Sequence, residues 1–125
     1  MSNTPTRAII YEDSGITCMA RIQGGDASNI TQATTSAITV AVFKNANTTA
    51  TYTASLTVAD VIFDSLQTDS RWSKDSTGYN FRYGVIASVF DSGDATYRVE
   101  FKFTPTSGSQ YWVIYSIDTV EVFSS

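Results

Sequence analysis

Tyr97-Arg98-Val99-Glu100-Phe101-Lys102-Phe103-Thr104 alternates without a break. Tyr97, Val99, Phe101 and Phe103 share one parity, and Arg98, Glu100, Lys102 and Thr104 share the other. A period of two is that of a β-strand with one dry and one wet face. A turn follows at Pro105-Thr106-Ser107-Gly108, and then a second apolar-rich run, Tyr111-Trp112-Val113-Ile114-Tyr115-Ser116-Ile117. Two such runs separated by a Pro/Gly turn predict a β-hairpin within an antiparallel β domain. The mixed charges Arg98, Glu100 and Lys102 suit either a guarded sheet edge or pairing across to a neighbouring strand.

The same alternation extends in both directions. Residues 8–11 begin an extended run that Asp13-Ser14-Gly15 interrupts as a turn or bulge. Residues 16–22 continue it, with Ile16, Cys18, Ala20 and Ile22 on one face, and 24–29 form a loop. Ile38, Val40 and Val42 mark the dry face of a strand over 38–43, and the polar turn 45–49 leads to another over 52–58. Residues 59–66 predict a short strand and then a helical turn. Residues 67–77 are polar around Trp72. Tyr79, Phe81 and Tyr83 alternate with Asn80 and Arg82 in a strand reaching about Ile86, and Asp91-Ser92-Gly93-Asp94 closes the next loop. Beyond Ile117 the apolar parity slips toward Val120 and Val122, which predicts a bulge near Asp118-Thr119. Seven to eight strands at this spacing predict an all-β, immunoglobulin-like antiparallel β-sandwich, with a small barrel as the alternative.

Composition agrees. The chain has 125 residues, 42% of them apolar and 16% charged, which is the make-up of a globular domain. Ser and Thr supply about a quarter of it and aromatics 13%, residues that suit a pleated surface. We expect a flexible polar arm over residues 1–7 and one sandwich domain over 8–125. The net charge of −4, from eight basic and twelve acidic residues, argues against nucleic acid and against anionic membrane surfaces. No apolar run has the length of a membrane span, and the first residues lack the apolar stretch of a signal peptide.

Little in the sequence is catalytic. With no histidine, Ser-His-Asp and Cys-His catalysis and the commonest zinc ligand are missing. Cys18, the only cysteine, reads as a small buried hydrophobe rather than a reactive thiol. Among three Glu and nine Asp, Glu100 sits between Arg98 and Lys102, where a cross-strand charge pair is expected instead of a raised pKa. Asp13, Asp75, Asp91 and Asp94 lie beside Ser or Gly, where Asp caps its own turn. Asp91 and Asp94 also offer one loop's oxygen ligands to a calcium ion, without the full EF-hand spacing. No catalytic residue, metal ligand or cofactor is therefore expected. Trp72, Tyr79, Phe81, Tyr83, Tyr111, Trp112 and Tyr115 are either packing residues or a stacking platform for sugar rings, which needs at least two coplanar exposed rings. Trp72, among polar neighbours, either plugs the end of the sandwich or is exposed at a subunit contact.

In its strand pattern the chain resembles the immunoglobulin-like domains of tailed-phage virion proteins, notably the N-terminal domain of phage baseplate upper proteins. The likeness is carried by the alternation over 16–22, Asn29-Ile30-Thr31-Gln32-Ala33 leading into 38–43, Gly78-Tyr79-Asn80-Phe81-Arg82-Tyr83, and the hairpin 93–103 with 111–122. It covers most of the chain from about Ala8. Baseplate proteins of that kind continue into long fibrous or receptor-binding regions, whereas this sequence ends at Ser125. The resemblance therefore implies a small non-enzymatic virion component: a capsid cement or decoration protein, or a head, neck, tail or baseplate adaptor. Its partners would be other virion proteins or further copies of itself, assembled in the bacterial host cytoplasm. The contact residues expected are Arg7 in the arm, Arg71 and Trp72, and Asp91 and Asp94. A carbohydrate-binding β-sandwich module is the alternative.

Overall fold

A computed structural model describes residues 6–24 and 28–122. Eight strands alternate with short connections: β1 (Thr6–Tyr11), β2 (Ile16–Ala20), β3 (Thr35–Lys44), β4 (Tyr52–Leu56), β5 (Ile62–Gln67), β6 (Tyr79–Val85), β7 (Thr96–Pro105) and β8 (Tyr111–Val120). A single helical turn, α1 (Val58–Val61), precedes β5, and a 3-10 turn (Ala87–Val89) follows β6. The strands form two sheets, in the orders β1-β8-β7-β3-β4 and β2-β6-β5. Their inner faces meet in one apolar core, where Phe81 of the small sheet packs edge-on to Phe101 and Phe103 of the large one, at 4.9 and 5.2 Å between ring centroids. This is the sandwich expected. The barrel is not formed.

The topology is immunoglobulin-like in detail. β2, β6 and β5 take the places of strands B, E and D, and β8, β7 and β3 those of G, F and C. Tyr97, at the start of β7, is buried with its hydroxyl donating to Asp91 Oδ1 (3.2 Å) and accepting from the Ser92 backbone N–H (3.1 Å). This is the tyrosine corner of such domains. One strand pair departs from the antiparallel expectation. β1 runs parallel to β8, from Thr6 beside Tyr115 to Tyr11 beside Val120. It does so because the chain leaves the large sheet after Tyr11, turns through Asp13 (φ 58°) and joins the small sheet at Ile16. Residues 8–22 are thus two strands in different sheets, and of the two readings of Asp13-Ser14-Gly15 the turn is formed and the bulge is not.

β7 is not an edge. It lies between β8 and β3, with Val99, Phe101 and Phe103 fully buried. Arg98 and Glu100 pair within β7 itself, not across strands. The expected order of 59–66 is reversed, with the helical turn first and the strand second. Val58 and Val61 stand three residues apart in the helical turn, where Val61 is buried, and Ile62 is buried as the first residue of β5. The expected slip after Ile117 is also absent. β8 keeps one register through Val120, and the inward position is taken by Thr119. Its hydroxyl donates to the Ser92 carbonyl (2.6 Å) and accepts from Ala95 N (3.1 Å), so a polar residue fills an apolar slot with its hydrogen bonds made. Thr6 and Arg7, expected in the arm, are the first residues of β1. The rest of that arm and residues 25–27 of the expected 24–29 loop lie outside the described residues.

Candidate functional site

The structure distributes the five residues expected to make contacts over three places. Arg71 and Trp72 lie in the connection from β5 to β6, Asp91 and Asp94 in that from β6 to β7, and Arg7 in β1. They do not converge.

Trp72 is a plug. Its indole packs on Tyr79 at 5.6 Å, and Phe63 meets the same ring edge-on at 5.8 Å. Two carboxylates hold this segment down. Asp75 accepts from Trp72 Nε1 (3.0 Å), Thr77 N (3.0 Å), Gly78 N (3.1 Å) and Arg21 Nη1 (2.8 Å). Asp69 accepts from Arg71 Nη2 (3.0 Å), the Arg71 backbone N–H (2.8 Å) and the Tyr79 hydroxyl (2.6 Å). Both carboxyls are held well below the ordinary range: Asp69 first by the Arg71 side chain and then by Tyr79, Asp75 first by the Trp72 indole and then by the Gly78 N–H and Arg21. Hydrogen bonds to the charged form have that effect. Arg71 and Trp72 thus bond within their own segment, Arg71 exposed and Trp72 half-buried.

Asp91 anchors the tyrosine corner, and Asp94 turns the chain with φ 54° while its N–H bonds to the Thr119 carbonyl. Among the described residues, no three His, Cys, Asp or Glu side chains gather as a metal site. Cys18 is buried in β2, and burial pushes its thiol up to about 12, the direction of an inert thiol.

The aromatic platform does not form. Tyr79, Phe81 and Tyr115 are buried, and Tyr111 and Trp112, being neighbours in one strand, face opposite ways.

The sequence reading missed two features. The first is the outer face of the large sheet at its β1 edge. Ile9 is 73% exposed, Tyr11 64% and Val120 42%, with Tyr11 directly beside Val120 in the register. Arg7 stands on the same face beside Ser116. β1 has a strand neighbour on one side only among the described residues, so it presents backbone groups as well as side chains. A signal was there. Ile9, Ile10 and Tyr11 are consecutive, and adjacent strand residues cannot all face one core. The second feature is a cavity of about 600 Å³ at the opposite end, between the β2–β3 connection and the β7–β8 turn. Loops that meet only in the folded chain left no pattern to read.

No protein-family model, curated protein or solved structure matches this chain.

Proposed function

We propose that this protein is a non-enzymatic structural component of a tailed-phage virion, a capsid decoration protein or a head–neck–tail or baseplate adaptor, and that it works through protein–protein contacts. The observation that supports this reading is the β1 edge of the large sheet, which no further strand covers among the described residues. Proteins guard an exposed edge strand with charged side chains, Pro, a bulge or shortness. Over its six residues β1 has a single charge, Arg7 near its start, and no Pro or bulge, and it adds Ile9 and Tyr11 to its outer face. Such an edge is suited to being covered by a further copy or a neighbouring subunit.

Mass spectrometry of purified particles tests the assignment. The protein should be present in mature virions, and its absence would end the virion reading. Copy number then separates a decoration protein, present in hundreds by the resemblance, from an adaptor ring of a few. The surface itself is tested by Ile9→Lys. Burying an Ile contributes about 1.5–3 kcal/mol. The variant should therefore lower self-association or particle incorporation by roughly tenfold or more. Its melting temperature should change little, since the position is outside the core. Unchanged association and incorporation would remove β1 as the contact surface.

A further inference from the structure

The cavity between the β2–β3 connection and the β7–β8 turn lies at the end of the sandwich where, in immunoglobulin variable domains, the B–C and F–G loops carry binding residues. Its volume of about 600 Å³ falls within the range of about 300–1,000 Å³ found for small-molecule sites. Tyr111 forms part of its wall. The Tyr111 ring lies parallel to Phe103 in the next strand, 5.2 Å between centroids and 1° between planes. Phe103 therefore occupies one face of the ring and fixes its position, leaving the remainder to the cavity. Around it stand Asn29, Ser107, Ser109 and Gln110, whose side chains make no hydrogen bond among the described residues. Gly108, at φ 102°, gives the turn that carries three of these its shape.

The chemistry of this wall selects a ligand class. None of the described residues that line the cavity is Lys, Arg, Asp or Glu, so none of them compensates an ionic ligand. Two amides and two hydroxyls without hydrogen-bond partners among the described residues suit a ligand bearing many donors and acceptors. A fixed aromatic wall suits the apolar face of a ring. We propose that this cavity binds a neutral saccharide, one sugar ring packing against Tyr111 while its hydroxyls bond Asn29, Ser109 and Gln110. A cavity holds a single ring among loops and needs no platform of coplanar aromatics. The site is also distinct from the β1 edge, so the failure of either reading leaves the other standing.

The test is titration of the isotope-labelled full chain with methyl glycosides of glucose, galactose, mannose and N-acetylglucosamine, and with a sialylated trisaccharide and a short acidic peptide as charged probes, read by amide shifts. At least one neutral glycoside should give saturable shifts confined to the 107–111 turn and Asn29. Gln110→Ala and Asn29→Ala, both at exposed positions, should each weaken binding by roughly twofold to tenfold. Tyr111→Phe should retain most of the affinity, and Tyr111→Ala should lose roughly tenfold. If Tyr111→Ala fails to fold, the two exposed variants decide. The proposal is overturned if no neutral glycoside gives saturable shifts, if the shifts map elsewhere, if a charged probe binds more tightly, or if the variants bind as the parent does.

Discussion

Asn80 alternates with Tyr79 and Phe81, so the strand pattern directs it to solvent, yet it is 1% exposed. Its amide accounts for the difference. Oδ1 accepts from Ile22 N at 2.8 Å, and Nδ2 donates to the Ile22 carbonyl at 2.9 Å and the Ile30 carbonyl at 3.3 Å. Ile22 lies just beyond the end of β2, where the ladder to β6 has stopped at Ala20. The side chain therefore does for Ile22 what a neighbouring strand's backbone would do, and it ties both ends of the β2–β3 connection to β6. Asn80→Leu keeps the approximate volume and removes both polar partners. It leaves the Ile22 N–H buried without an acceptor, a loss of about 1–3 kcal/mol for each such group. A destabilisation of about 3 kcal/mol is expected, lowering the melting temperature by about 10 °C. A melting temperature within a degree or two of the parent would show that water replaces the amide. The periodic pattern gave no access to this role, because the partners of Asn80 are backbone groups 50 and 58 residues away.

Periodicity tells which face of a strand is dry, and β3 and β7 were legible for that reason: Ile38, Val40 and Val42, like Val99, Phe101 and Phe103, occupy strictly alternate buried positions. Where other interactions dominate, it says nothing. The 68–78 connection has no apolar repeat, and its shape rests on Asp69 and Asp75 accepting the bonds of Arg71, Tyr79, Trp72, Thr77 and Gly78. Hence Trp72 was recognisable as unusual, while its contact with Tyr79 and its bond to Asp75 were not. The same carboxylates make this element sensitive to acid. Both pKa values are depressed in the folded chain, so the ionised forms stabilise it. That stabilisation is complete above the unfolded value of about 3.9 and is lost as pH falls below it toward the lowered folded values. Trp72 emission should therefore begin to shift below about pH 4, before the core unfolds. Asp75→Ala should give the shifted emission already at neutral pH. Emission that stays constant until global unfolding would show that the carboxylates do not hold the connection closed.

The two sheets are joined by apolar packing across the core and by few polar links, such as the Tyr115 hydroxyl donating to the Met19 carbonyl at 2.8 Å. Immunoglobulin domains of antibodies add a disulfide between strands B and F, with the tyrosine of the corner two residues before the second cysteine. Here the B position is Cys18 in β2, the corner is Tyr97, and the place two residues on is Val99, fully buried in β7. The chain thus has half of that bridge. Tyr115 is the cross-strand partner of Val99, and its hydroxyl bonds the carbonyl of Met19, the residue after Cys18, which places Cys18 and Val99 in the same region of the core. Val99→Cys is a small change in volume and supplies the missing sulfur. Under oxidising conditions the variant should lose both free thiols without dimerising. Closing a loop of roughly eighty residues should stabilise the fold by about 4 kcal/mol in the chain-entropy treatment, reversibly on reduction. Two titratable thiols persisting after oxidation of the folded protein would show that the sheets stand too far apart at this point, or that their Cβ vectors diverge. Packing alone would then have replaced the bridge with no room kept for it.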